Sequence, residues 1–171
     1  NSILENEGKT ISAKAGAVGL KGSTQSLMSL VADMKAGKVK TLIVSRTLPL
    51  YSLPASVGFA EALSKVDMVI STSSHMDEIA QHAHYIIPDN HALESWDDAE
   101  FTSGVVALQQ PSIRGMYDTR SLQLSLMTWA FVAKQGPKRL VASETYYDYL
   151  KNFWKEEMHS KYGKGQNFDD F

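Results

Sequence analysis

Apolar residues recur at Leu27, Leu30, Val31 and Met34, the spacing of one helix face. With Ser23 or Thr24 as N-cap and Gly37 as a stop, the pattern predicts an amphipathic helix from Ser23 to Lys35. The period then changes. Within Val39 to Val44 the run Thr41-Leu42-Ile43-Val44 is almost continuously apolar, as a strand buried on both faces requires. A loop with two prolines, Ser45 to Pro54, leads to Val57, Ala60 and Leu63 on one helical face as far as Lys65, and Met68-Val69-Ile70 is a second strand. Asp77 caps one short helical turn through His84, and Tyr85-Ile86-Ile87 is a third strand that Pro88 ends by withholding a backbone donor.

Strands alternating with helices predict an α/β fold: a mostly parallel sheet with helices on both faces and right-handed crossovers. From Asp89 to Ser103 the chain reads as a long, polar, irregular loop, after which Val105-Val106-Ala107-Leu108 returns as a strand or extended arm before Pro111. Ser121 to Val132 reads as a helix with Leu122, Leu126 and Trp129 on one side. Ser143 caps another, striped by Tyr147, Leu150, Trp154 and Met158; both are expected to pack on the sheet or on a neighbouring domain. The expected division is a flexible lead-in over 1–22, one domain over 23–158, and a tail over 159–171 with two glycines and few aliphatics.

Composition narrows the classes. The 171 residues are enough for one core, and 43% hydrophobic content excludes disorder. Seventeen Lys and Arg against nineteen Asp and Glu leave a net charge of −2, which carries no electrostatic footprint for nucleic acid or an anionic membrane. No apolar run reaches the roughly 18 residues that read as a membrane span, so direct membrane insertion is not expected. Zero cysteines exclude disulfides, thiolate zinc sites and cysteine-ligated iron–sulfur clusters within this segment. The start at Asn1, with neither Met nor a signal peptide, leads us to expect a piece of a longer chain.

In an open α/β sheet the ligand crevice lies beyond the carboxyl ends of the strands, here the loops Ser45 to Pro54, Ser71 to Asp77 and Asp89 to Ser103. Arg46 and Thr47 supply a guanidinium and a hydroxyl suited to a phosphate or a polar base edge; the alternative is a solvated turn. Ser71-Thr72-Ser73-Ser74 leads either into a helix whose free N–H groups receive an anion or into plain capping and turn chemistry. Gly16, Gly19 and Gly22 have a G-x-x-G-x-x-G spacing, but no apolar strand precedes them and Ser23 stands where a phosphate loop has Lys. His82, His84 and His91, with Asp77, Glu78 and Asp89, raise a metal site. The spacing of two between His82 and His84 points them apart on a helix, so hydrogen-bonded surface histidines are expected and no metal. There is no cysteine and no G-x-S-x-G elbow, and Asp97 and Asp98 read as solvated acids in a polar loop. No catalytic constellation emerges.

Leu53-Pro54-Ala55-Ser56, then Ala92-Leu93-Glu94-Ser95-Trp96-Asp97-Asp98, Gln109-Gln110-Pro111 and Tyr117-Asp118-Thr119-Arg120-Ser121 together resemble the molybdopterin oxidoreductase superfamily. Within it they are most similar to the large iron–sulfur subunit of alternative complex III, a quinol:electron acceptor oxidoreductase, in which an L-E-S-W-G-D element precedes Q-Q-P and D-T-R. The resemblance implies the Rossmann-like domain that, in active molybdenum enzymes, helps hold the guanine dinucleotide arm of the pterin. It further implies iron–sulfur clusters elsewhere in the parent subunit, partner domains with membrane and cytochrome subunits, and a periplasmic place at the bacterial cytoplasmic membrane. Active members carry a G-x-N-P turn after the first strand; here it reads Arg46-Thr47-Leu48-Pro49. Arg replaces a Gly that permits close backbone approach and Leu replaces a hydrogen-bonding Asn, which implies a domain free of cofactor. Under the alternative, an active pterin-binding domain like that of a polysulfide or thiosulfate reductase, Arg46, Thr47 and Ser73 contact the nucleotide. Asp97 stands where the family has Gly, and Gly115 and Leu124 where it has Pro and Asp. Asp tolerates a left-handed turn at 97. Glu94 and Asp98 are expected to anchor the loop through backbone hydrogen bonds, Trp96 to bury its ring against the sheet, and Arg120 to pair with a carboxylate or face another domain.

Overall fold

The computed structural model describes residues 3–11, 22–136, 138–141, 143–163, 165 and 167–170. Gly16 and Gly19 lie outside the described residues, and Gly22 is exposed with open space around it. Helix α1 (Thr24–Lys35) starts where Ser23 Oγ accepts the Ser26 N–H at 3.1 Å, and ends at Ala36 before the left-handed Gly37. It buries Val31 and Met34. Strand β1 (Thr41–Val44) follows, then a single turn α2 (Pro49–Ser52) begun by Pro49, a 3-10 turn at Ala55–Val57, and α3 (Phe59–Leu63).

Gly58, at φ +67°, reverses the chain between that 3-10 turn and α3. As a result α3 begins two residues later than the Val57 stripe predicts, and its buried face is Phe59, Ala62 and Leu63 while Ala60 is exposed. Strand β2 (Met68–Ser71) pairs in parallel with β1, Leu42 opposite Val69 and Val44 opposite Ser71. A 3-10 turn at Ala80–His82 precedes β3 (Tyr85–Ile86), parallel to β2. Parallel partners share a face, so Leu42, Val44 and Val69 meet Val31 and Met34 of α1 and Phe59, Ala62 and Leu63 of α3 in one core. Burial on both faces holds for β2, where Val69, Ile70 and Ser71 are all buried. It does not hold for β1, whose Thr41 and Ile43 are exposed on the face away from that core.

The predicted irregular loop is partly ordered. After a 3-10 turn at Ala92–Glu94, β4 (Asp97–Thr102) and β5 (Val105–Gln109) form an antiparallel hairpin around Gly104 at φ +83°. Polar Asp97-Asp98-Ala99-Glu100 lacks the apolar alternation of a strand and is extended because β5 supplies its ladder. The expected left-handed turn at Asp97 is therefore absent: Asp97 is the first residue of β4.

Helix α4 (Leu122–Val132) is capped by Ser121 Oγ, which accepts the Leu124 N–H at 3.3 Å. It buries Ser125 and Met127, while Leu126 and Trp129 of the predicted inner stripe are exposed. A helix apolar all round gives periodicity no face to choose. The short α5 (Lys138–Val141) packs on α6 (Tyr146–Phe153). Helix α6 starts not at Ser143 but at Thr145, in a reciprocal cap with Asp148. A π turn over Trp154–Met158 carries the helix into α7 (His159–Tyr162), within the segment expected as tail.

Candidate functional site

The carboxyl ends of β1, β2 and β3 open on one cleft of about 1610 Å³, at the edge that parallel α/β topology reserves for ligands. Its first wall is the turn after β1. Arg46 lies there at φ +52°, a left-handed conformation uncommon for a residue with a Cβ. Its Nε and Nη2 both donate to Asp89 Oδ2, at 3.2 and 3.1 Å. The Asp89 side chain is only 9% exposed, and its other oxygen, Oδ1, accepts the Leu122 N–H of α4 at 2.9 Å. One carboxylate thus joins the β1 turn to the first turn of α4.

The second wall is the hydroxyl run. Thr72 Oγ1 donates to Ser45 Oγ at 3.0 Å, Ser71 Oγ accepts the Ser73 N–H at 3.2 Å, and Ser73 Oγ accepts the His75 N–H at 3.2 Å. These hydroxyls therefore cap a turn, and no helix N-terminus follows them: the next helical turn begins only at Ala80. Asp77 Oδ1 accepts the Ala80 N–H at 2.7 Å. That bond, then one from Ser73, holds the Asp77 carboxyl below its usual range against the opposing effect of burial.

The third wall is built by Glu94, whose Oε2 accepts the His91 N–H at 2.9 Å and whose Oε1 accepts the Met116 N–H at 3.0 Å. The Met116 bond first, then the His91 bond, lowers its carboxyl pKa. Leu93 O accepts the Ser112 and Ile113 N–H groups, and Arg120 N–H donates to Pro88 O at 3.3 Å, which lays 112–120 along 88–94. Arg46, Thr47 and Ser73 all line this cleft, and so does Glu94. The Arg120 guanidinium is exposed and pairs with no carboxylate among the described residues.

Trp96 and Asp98 lie elsewhere. The Trp96 ring meets Tyr147 of α6 at 4.8 Å, and Asp98 Oδ2 accepts not a backbone N–H but the Trp154 indole N–H, at 2.8 Å. Trp96, Leu108, Tyr147, Leu150 and Trp154 enclose a small apolar space of about 190 Å³ between the hairpin and α6. Asp97 and Asp98 are half-buried rather than solvated. Burial first, then the charges of Asp97 and Asp98, pushes the Tyr146 phenol up to about 12.

The histidines part company. His84 Nδ1 accepts the Val69 N–H at 3.0 Å, His91 Nδ1 accepts the Leu93 N–H at 3.2 Å, and His82 is exposed. Among the described residues no group of three or more His, Asp and Glu is placed to hold a metal ion. Sequence reasoning weighed Asp89 only as a metal ligand and missed its structural role. The available signal was an acid directly after Pro88, at the carboxyl end of a strand.

Fold and cleft define an α/β domain with its crevice at the ends of parallel strands. No protein-family model matches the chain. Two curated proteins are similar to part of it. The molybdopterin-binding-like subunit of the menaquinone reductase of Nitratidesulfovibrio vulgaris is 31% identical over 96 residues, covering 54% of this chain and 14% of that protein. The molybdopterin-containing subunit of the arsenate respiratory reductase of a Shewanella species is 34% identical over 74 residues, 41% of this chain and 9% of that protein. The matched stretch is thus a small fraction of either relative's length. These likenesses support a relationship to molybdopterin oxidoreductases and to subunits of respiratory reductases. No helix of the described residues is long and apolar enough to cross a membrane.

Proposed function

We propose that this chain is a Rossmann-like domain in the iron–sulfur subunit of a membrane-associated respiratory quinol:electron acceptor oxidoreductase of the alternative complex III type. Its role there is that of a cofactor-free scaffold and docking surface on the periplasmic face, with iron–sulfur clusters elsewhere in the parent subunit. The observation that supports this is the turn at Arg46. Its left-handed backbone suits Gly, yet it carries a side chain whose guanidinium is committed to Asp89.

The residues present do not fit the dinucleotide arm of a pterin. Such an arm carries a diphosphate, and among the described residues the cleft lining sets the carboxylates of Asp77, Asp89, Glu94 and Asp118 against one guanidinium, that of Arg46. That guanidinium already serves Asp89.

A second reading has one observation in its favour: Arg46, Thr47 and Ser73, which would contact the nucleotide of a pterin-binding domain, do share one cleft. Metal analysis of the intact parent protein separates the two. Absence of stoichiometric molybdenum and tungsten is the expected result, and either metal at one equivalent overturns the scaffold reading. Calorimetric titration of this chain with GDP is the second check; micromolar binding that Thr47→Val or Ser73→Ala weakens favours the pterin reading.

A further inference from the structure

The cleft is large, and its described lining is rich in carboxylates. At about 1610 Å³ it exceeds the roughly 300–1,000 Å³ of a small-molecule pocket and has the size of a groove for a peptide segment. Its charge is one-sided. Asp77, Asp89, Glu94 and Asp118 line it, while among the described residues that line it the only Lys or Arg is Arg46. Arg114 and Arg120 on the same stretch are exposed but stand outside the lining. The Arg46–Asp89 pair shows how this cleft treats a cation, with two N–H groups of a guanidinium on one nearly buried carboxylate oxygen.

Among the described residues the other carboxylates lack such a partner. Asp77 and Glu94 accept backbone N–H groups, which fix their orientation and favour the charged form without cancelling it, and the exposed Asp118 side chain has no hydrogen bond or ion pair among the described residues. Around them Tyr51, Leu93, Met116 and Tyr117 are exposed apolar or amphipathic side chains on the same lining. Acidic acceptors interleaved with aromatic and thioether surface suit Arg and Lys side chains, whose stems pack on rings while their heads meet carboxylates.

We propose that this cleft is the docking groove for a cationic segment of a partner protein, one in which Lys and Arg alternate with apolar residues. The proposal rests on the cofactor-free reading and names the chemistry of the partner.

The probe is a short fluorescein-labelled synthetic peptide alternating Lys and Arg with Leu and Tyr, titrated with the full chain and followed by anisotropy. Saturable binding that weakens as salt rises is expected. Asp118→Lys is expected to lower affinity about tenfold or more, and Asp77→Asn, which keeps the acceptor for Ala80, to lower it several-fold. Asp67→Asn is the control, because Asp67 pairs with Lys40 at the opposite end of the strands. Circular dichroism establishes that each variant is folded. The docking proposal is overturned if the peptide does not bind, or if it binds Asp118→Lys as well as the parent chain. Self-association in sedimentation that Asp118→Lys abolishes assigns the groove to a second copy and also overturns it. GDP that binds the cleft and displaces the peptide defeats the cofactor-free reading as well. Failure of both peptide and GDP to bind defeats docking alone.

Discussion

Replacing Arg46 by Ala and by Gly separates its two roles. Either change removes the bonds of 3.2 and 3.1 Å to Asp89 Oδ2. Because the Arg46 side chain is 59% exposed, solvent screens the pair, and its loss costs about 0.5–1 kcal/mol. Asp89 keeps the Leu122 N–H on its other oxygen and is not stranded. The two variants then diverge. Ala retains a Cβ in the left-handed region, at roughly 1–2 kcal/mol, whereas Gly has no such penalty but loses about 0.5–1 kcal/mol through the greater freedom of its unfolded chain. Arg46→Gly is therefore expected to be more stable than Arg46→Ala by about 0.5–1 kcal/mol and close to the parent. In urea unfolding followed by circular dichroism this is a midpoint difference of about 0.3–0.5 M at an m of about 2 kcal/mol/M. An Ala variant as stable as the Gly variant, at equal m, refutes the left-handed turn and with it the argument that an unsuited side chain occupies this site.

Acid provides another test. Asp77 and Glu94 have carboxyl pKa values held below their ordinary 3.8 and 4.5 by N–H donors of the fold, so their contribution to stability is present above those values. It is lost as pH falls through them toward the lower folded-state values. Urea midpoints measured from pH 7 down to 3 should drop below about pH 4.5, and Asp77→Asn with Glu94→Gln should flatten that drop; an unchanged slope in the double variant contradicts the assignment. At the basic end the Tyr146 phenol, pushed up to about 12, should stay protonated while ordinary tyrosines ionise near 10. Its contribution is present below 10 and lost as pH rises through 12. Difference absorbance of the parent against Tyr146→Phe reads this directly, and a Tyr146 step near 10 would show the phenol to be unburied. Trp154→Phe removes the indole N–H from the half-buried Asp98 and is expected to cost about 1–2 kcal/mol in thermal or urea unfolding; a neutral result means that water replaces that bond.

Local pattern was sufficient where a segment makes its own case. Leu27, Leu30, Val31 and Met34 mark one helix face and Ser23 its cap, and the runs at Thr41, Met68 and Tyr85 are apolar enough to be strands whatever surrounds them. Crossover rules then aligned those strands in parallel and put the crevice at their carboxyl ends, where Arg46, Thr47 and Ser73 line one cleft. Contacts between distant segments were beyond its reach. Strand β4 is polar and becomes extended only because β5 lies beside it; α4 is apolar all round, so its neighbours alone select the buried side. Asp89 is a plain acid in the chain and a junction in the fold, since its two oxygens meet Arg46 and Leu122, 43 and 33 positions away. A residue's hydrophobicity and its neighbours in the chain determine what element it favours; only closure of the fold decides which polar atoms lose water together and must satisfy one another.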